Sequence, residues 1–279
     1  MINILFCGND GVFDGMLTCA LSIFRRTSTD APFRFFIFTM DASHLKNEYL
    51  PINDDKSNFF EKLIKEYDSR NSVVRIDVTE LYREEFSGCP NEEAYCSPYT
   101  LLRLLADRIE NIPDKLLYLD VDVMFNRDIA LLYDIDIDGY EYAAARDHYG
   151  KYLIAPDYIN AGVLLLNMKE IRDGGLFRRA RDLIRKNKLT FADQSAIIRA
   201  TKKKKLLPQK FNDQKFLHNH TVVRHFSKRL FWLPYPHTEN IKQWQVSRVH
   251  RRLGCYAFDD ILYEYIYLKE KYNREVKND

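Results

Sequence analysis

Asp120 and Asp122 stand one residue apart at the end of the apolar run Leu116-Leu117-Tyr118-Leu119, where a buried strand should stop. In an extended segment a period of two sends both carboxylates to the same side, so they can converge on one hard cation. A divalent ion held there keeps positions for the oxygens of a diphosphate, the chemistry that activates a nucleotide-linked leaving group. Two acids at this spacing also arise by chance in a chain rich in Asp, so the surrounding features must carry the weight. Asp134-Ile135-Asp136-Ile137-Asp138-Gly139 is such a chance match. It imitates the opening of a calcium loop, but Ala145 stands where the bidentate Glu belongs, so it reads as an acidic turn.

Four further features converge on a site for a metal and a nucleotide. Cys7-Gly8-Asn9-Asp10-Gly11 follows an apolar run, and its small residues let backbone approach a ligand at a helix N-terminus. It is not G-x-G-x-x-G, so a dinucleotide fingerprint is absent. Asn160, followed by Ala161 and Gly162, precedes the apolar stretch Val163-Leu164-Leu165-Leu166, and its amide can both donate and accept toward a polyhydroxylated ligand. Asn also favours turns, which explains it equally well. Asp193 and Gln194 open a helix, where Asp193 also suits an N-cap. Val222-Val223-Arg224-His225 delivers an imidazole, and Lys228 and Arg229 follow within reach of phosphate oxygens. His225 beside Asp120 and Asp122 makes a mixed imidazole and carboxylate set that suits manganese. His218 and His220 are alternative ligands, with His225 a three-His zinc set.

Strand and helix patterns alternate to position these residues. Strands are predicted over Asn3 to Cys7, Phe33 to Met40, Ser72 to Val78, Lys115 to Leu119, Glu141 to Ala145 and Gly162 to Asn167. Helices are predicted over Phe13 to Arg25, Phe59 to Tyr67, Pro98 to Ile109, Leu176 to Lys188 and Asp193 to Ala200. The opening β-α-β-α-β order predicts a Rossmann-like α/β architecture, a mostly parallel central sheet with helices on both faces. The chain has 279 residues, 46% of them hydrophobic, enough for one large α/β domain. A net charge of +2 argues against a dedicated nucleic-acid binder. The five cysteines, Cys7, Cys19, Cys89, Cys96 and Cys255, form no C-x-x-C pair and read as reduced thiols of a cytoplasmic protein. Met1 leads within two residues into Ile4-Leu5-Phe6, so a secretory signal is not expected, and no apolar run approaches the ~20 residues that span a bilayer.

With these residues in place, the chain resembles the family 8 retaining glycosyltransferases, the group of bacterial lipopolysaccharide galactosyl- and glucosyltransferases and of glycogenin. The resemblance rests on Arg103, then Tyr118-Leu119-Asp120-Val121-Asp122-Val123, Asn160-Ala161-Gly162-Val163-Leu164-Leu165-Leu166-Asn167, Ala192-Asp193-Gln194 and His225-Phe226, in that order. It covers residues 3 to 232. It implies a GT-A fold and a hexose, glucose or galactose, moved from a UDP-sugar with its anomeric configuration kept. Manganese is the implied metal, with magnesium as the second choice. It further implies that Asp120, Asp122 and His225 bind the metal, with backbone at Val121 and Ala161 near the donor. Cys7, Gly8 and Asn9 would face the uridine and Arg103 the donor. Asp147, Asn160, Asp193 and Gln194 would line the sugar, Gln194 opposite the leaving group. Where members carry an acid and a Tyr in the first turn, this chain has Asn9 and Val12. The usual H-F-x-G-x-x-K-P-W tail is broken after Phe226, which leaves Lys228 or Arg229 to supply the phosphate-facing cation.

The sequence divides into a catalytic domain over 1–232 and a basic, aromatic extension over 233–279. In that extension Lys242, Trp244, Arg248, Arg251 and Arg252 mix with Tyr256, Phe258 and a Tyr-rich helix from Asp259. Such a mixture suits either an anionic membrane surface, the inner face of the plasma membrane where a lipid-linked saccharide acceptor would lie, or a helix packed on the domain. The Lys202 to Lys205 run is expected as a solvated loop. Two other functions fit the acidic pair: an idle sugar-nucleotide or glycan binding module, and a phosphatase of the haloacid-dehalogenase type, whose nucleophile strand has the same apolar-D-x-D pattern.

Overall fold

The strands expected from the apolar runs all form. The computed structural model describes residues 1–92 and 97–277, so Cys96 lies outside the described residues. In chain order the strands are β1 (Ile2–Cys7), β2 (Phe33–Thr39), β3 (Ser72–Asp77), β4 (Lys115–Leu119), β5 (Val123–Phe125), β6 (Tyr142–Ala145), β7 (Val163–Asn167), β8 (Lys204–Leu207), β9 (Val223–His225), β10 (Arg229–Phe231) and β11 (His237–Glu239). Seven of them make one sheet in the order β3-β2-β1-β4-β7-β6-β8. β3, β2, β1 and β4 run parallel, β7 is antiparallel to both neighbours, and β6 pairs parallel with β8.

Each central strand is apolar on both faces, as a sheet covered on both sides requires. Ile4, Phe6, Phe35, Ile37, Leu117 and Leu119 enter one core, while Leu5, Cys7, Phe36, Phe38, Leu116 and Tyr118 enter the other. Phe6, Phe35 and Phe38 have no exposed surface, and burying a side chain of that size stabilises by about 1.5–3 kcal/mol. The first core is closed by helices Phe13–Arg26, Asp54–Tyr67 and Asp259–Lys277. The second is closed by Pro98–Arg108, Leu176–Lys186 and Ala192–Ala200.

Three local differences from expectation have physical causes. The second helix starts at Asp54, because the Asn53 side chain caps Lys56 N at 2.9 Å and supports a polar first turn without apolar period. Pro98–Arg108 winds as successive 3₁₀ turns. Lys202 to Lys205 is not wholly a solvated loop: Lys204 and Lys205 open β8, an edge strand, where lysines are favoured because they block further pairing. Lys204 Nζ pairs with Asp157 at 2.7 Å, and Lys205 Nζ lies 5.6 Å from the Tyr140 ring centre.

Residues beyond 232 join the first core. Phe258, Ile261, Leu262, Tyr265 and Leu268 form a buried stripe at helical spacing and share a cluster with Phe13, Met16 and Phe59. Arg25 and Glu264, 2.7 Å apart, and Arg26 and Asp260, 2.8 Å apart, tie the same helix to Phe13–Arg26. Its outer face exposes Tyr263, Ile266 and Tyr267. Among the described residues, no helix is long and apolar enough to cross a membrane.

Candidate active site

The acidic pair lies where β4 leaves the sheet. Val121 and Asp122 form a turn into β5, so the carboxylates converge through a turn and not through the pleat of one strand. β5 then pairs antiparallel with β9, with Val123 opposite His225, and Phe226 N donates to Asp122 O at 2.7 Å. This register carries the imidazole onto the acids: His225 Nε2 lies 3.1 Å from Asp122 Oδ1 and 3.9 Å from Asp120 Oδ2. One ligand atom from each of Asp120, Asp122 and His225 lies within 4.8 Å of the others. Gly162 makes room for this meeting, since a Cβ there would lie 2.4 Å from His225 Cε1 and 2.7 Å from Asp120 Oδ2.

The donor set suits a divalent cation: two carboxylates and an imidazole whose Nε2 faces them. Burial alone pushes the Asp122 carboxyl up, but the charge of Lys242, aided by His225 when its ring is protonated, outweighs it and holds the group well below the usual carboxylate range. Asp122 therefore carries its charge at neutral pH. His218 and His220 do not join the cluster. His218 Nδ1 lies 2.6 Å from Asp213 Oδ2, and the two rings stack 5.5 Å apart, so the three-His set does not assemble.

Arg103, expected against the donor, is a buried strut beneath the acids, with 1% of its surface exposed. Its guanidinium donates to Asp120 Oδ1 at 3.1 Å, pairs with Asp193 Oδ2 at 3.3 Å and donates to the Ala161 carbonyl. It also stacks 3.8 Å from the Tyr118 ring centre, and the Tyr118 hydroxyl reaches Asp120 Oδ1. Burial pushes the Asp193 carboxyl up, opposed by the charge of Arg103. Gln194 is pinned from the other side, its Oε1 accepting from Ala161 N at 3.0 Å.

Asp147 Oδ1 accepts from Gly150 N at 2.7 Å, and its Oδ2 accepts from Asn160 Nδ2 at 3.0 Å. Asn160 Oδ1 in turn accepts from Gly162 N at 3.0 Å. The structure thus joins Arg103, Asp120, Asp122, Asp147, Asn160, Ala161, Asp193, Gln194 and His225 in one continuous network. At the end of β1, Gly8 N donates to Phe38 O at 3.0 Å and Asn9 Nδ2 to Glu48 O at 3.4 Å. Val12 fills the space beside Gly8, where a Cβ would lie 2.3 Å from Val12 Cγ2. Burial pushes the Cys7 thiol far up, which keeps it protonated.

Besides the buried Arg103, Lys242 brings a cation to the acids, its Nζ pairing with Asp122 Oδ2. Arg229 lies in β10 with its guanidinium over the Phe216 and Phe231 rings, at 5.2 and 5.4 Å. Lys228 immediately precedes that strand. The sequence signal for Lys242 is Lys242-Gln243-Trp244, which repeats the usual Lys-Pro-Trp ending except for Gln243. The β10–β11 hairpin separates it from His225 and hides the match. Gln243, fully buried, donates to Val121 O at 2.7 Å and to Thr18 Oγ1 at 2.9 Å, which fastens the returning chain beside the acids. Asn212, buried between Asn160 and His225, is a further site residue and has no sequence signal.

The family model described as Glycosyl transferase family 8 matches residues 3–227. A Haemophilus influenzae protein provisionally named a glycosyltransferase is 30% identical over 177 residues, 58% of this chain and 52% of its own length. Glycosyltransferase GlyA of Streptococcus pneumoniae is 26% identical over 222 residues, 79% of this chain and 28% of its own length. The chain therefore spans about half of the first relative and less of the second. Among solved structures, the galactosyltransferase LgtC in complex with donor and acceptor sugar analogs superposes with a TM-score of 0.68 at 19% identity, over 97% of this chain and 96% of that one. The architecture is the GT-A fold.

Proposed function

Because this chain belongs to glycosyl transferase family 8, we propose that it is a metal-dependent retaining hexosyltransferase that takes glucose or galactose from a UDP-sugar. The observation that carries the proposal is the meeting of Asp120, Asp122 and His225 at a strand end, with Lys242 against Asp122. LgtC, whose structure holds donor and acceptor sugar analogs, supports a sugar donor and a saccharide acceptor here. A divalent cation held by Asp120, Asp122 and His225, manganese before magnesium, would offset the charge that builds on the departing diphosphate.

The chain's own residues do the rest. Lys242 joins Lys228 and Arg229 as a candidate phosphate-facing cation, placed against Asp122 to stabilise the leaving group's negative charge. Arg103 fixes Asp120 and Asp193 from below, so the acids need not reorganise as the reaction proceeds. Asp193 and Asp147 flank an oxocarbenium-like anomeric carbon, and Asn160 reads the sugar hydroxyls. The Gln194 carboxamide oxygen is held by Ala161 N and lacks a carboxylate's charge, which makes it a weak nucleophile and a positioning group. Retention follows from attack on the face the diphosphate leaves: the acceptor oxygen bonds to the anomeric carbon as the bond to the phosphate oxygen breaks, and that phosphate oxygen takes the acceptor's proton. Cys7, Gly8, Asn9 and the Val121 backbone lie toward the nucleotide.

The acceptor is a saccharide, free or lipid-linked. The β10–β11 hairpin supports an acceptor platform, because it springs from the chain between His225 and Lys242 and exposes Trp232 and Tyr235 at its tip. The exposed Tyr263 and Tyr267 of the last helix are the candidates for an anionic membrane surface. The test is a panel of UDP-sugars with manganese, scored for slow hydrolysis and for the anomeric configuration of the first product by NMR. One UDP-hexose should be hydrolysed with retention. Tight donor binding without turnover across acceptors would favour an idle binding module instead, and cleavage of phosphate monoesters would favour a phosphatase.

A further inference from the structure

Four side chains behind the acidic cluster form a hydrogen-bond chain whose direction is fixed as far as the imidazole of His225. Asp147 is its acceptor end, its Oδ1 bonded by Tyr149 N at 3.1 Å and Gly150 N at 2.7 Å. A carboxylate can only accept, so Asn160 must turn its Nδ2 toward Asp147 Oδ2, 3.0 Å away. That leaves Asn160 Oδ1 facing Asn212, and the Gly162 N–H, 3.0 Å away, independently requires an acceptor there. Asn212 must therefore give its Nδ2 to Asn160 Oδ1, at 2.9 Å, and present its own Oδ1 to His225 Nδ1, at 3.0 Å. With an acceptor at Nδ1, a neutral ring takes its proton there, and the Nε2 lone pair then points to Asp120 and Asp122.

Without Asn212 the preference would reverse. Nε2 lies 3.1 Å from Asp122 Oδ1, a charged acceptor that draws the single proton of a neutral imidazole to Nε2 and removes the ligand lone pair. Asn212 has no exposed surface, so no solvent water could take its place at Nδ1 without rearrangement. We infer that Asn212 is a positioning residue that holds His225 in its metal-binding tautomer, anchored through Asn160 to Asp147. The inference deepens the metal reading and rests on it. It also joins the two residues expected to meet the sugar, Asp147 and Asn160, to a metal ligand, so donor recognition and cation binding share one rigid chain.

The experiment is nitrogen NMR of the His225 ring in metal-free protein, at a pH where the imidazole is neutral, with manganese affinity measured by electron paramagnetic resonance. Wild type should show protonated Nδ1 and unprotonated Nε2. Asn212→Leu should move the proton to Nε2 and weaken manganese binding by about 10- to 100-fold. Asn212→Asp, which keeps an acceptor at Nδ1, should retain the wild-type tautomer and serves if the leucine variant fails to fold. Protonated Nε2 in wild type, or in Asn212→Asp, would overturn the inference, as would an unchanged ring in a folded Asn212→Leu. Protonated Nδ1 in a protein that binds no manganese would uphold the tautomer and sink the metal reading alone.

Discussion

At the strand end, Asp120, Asp122 and His225 are held from several directions, by Arg103, Tyr118, Lys242 and Asn212. In the neighbouring hairpin, Trp232, Leu233 and Tyr235 stand 68%, 82% and 67% exposed on a two-strand ladder. Its base is tied down, with Glu239 bonded to Arg248 at 3.0 Å and to Arg252, while its tip touches solvent. The two regions adjoin in sequence, since His225 precedes the hairpin and Lys242 follows it. The difference separates a region held rigid by buried polar contacts from a projecting one that can change at little cost to the core.

That contrast can be broken at its shared boundary. Lys242→Ala should produce the largest loss, about 10²- to 10³-fold in kcat for donor turnover, because it removes a cation that acts on developing charge. Arg229→Ala should leave kcat within about threefold, since its guanidinium rests on Phe216 and Phe231. Steady-state kinetics on both variants check this, and equal losses would erase the distinction between site and hairpin. The contrast can be sharpened at the tip. Trp232→Ala with Tyr235→Ala should leave UDP-sugar hydrolysis and thermal stability nearly unchanged while raising the acceptor KM about 3- to 10-fold per ring. A matching fall in acceptor-free hydrolysis would assign the tip to the donor site.

Most of the strand end was legible in the sequence. The Leu116–Leu119 run announced a buried strand and the spacing of Asp120 and Asp122 announced two carboxylates that meet, although the convergence comes from a turn. His225 was legible from a short strand, and its pairing with β5 explains why that strand matters. Lys242 was visible as a residue but not as a neighbour of Asp122, because the β10–β11 hairpin lies between it and His225 in the sequence. Asn212 gave no signal, since a buried amide is recognised by its partners in space and not by its neighbours in sequence. The last helix was legible as a Tyr-rich, charged helix from Asp259. Only packing shows that Phe258, Ile261 and Tyr265 share a core with Ile2.

The central claim is that Asp120, Asp122 and His225 hold the cation that receives the donor's diphosphate. Titration calorimetry of the preferred UDP-hexose into wild type and Asp122→Ala, each with and without manganese, tests it most directly. Manganese should strengthen donor binding to wild type about 100-fold or more, and Asp122→Ala should lose that gain. Donor binding in wild type that ignores manganese, or a manganese gain retained by Asp122→Ala, would contradict the account.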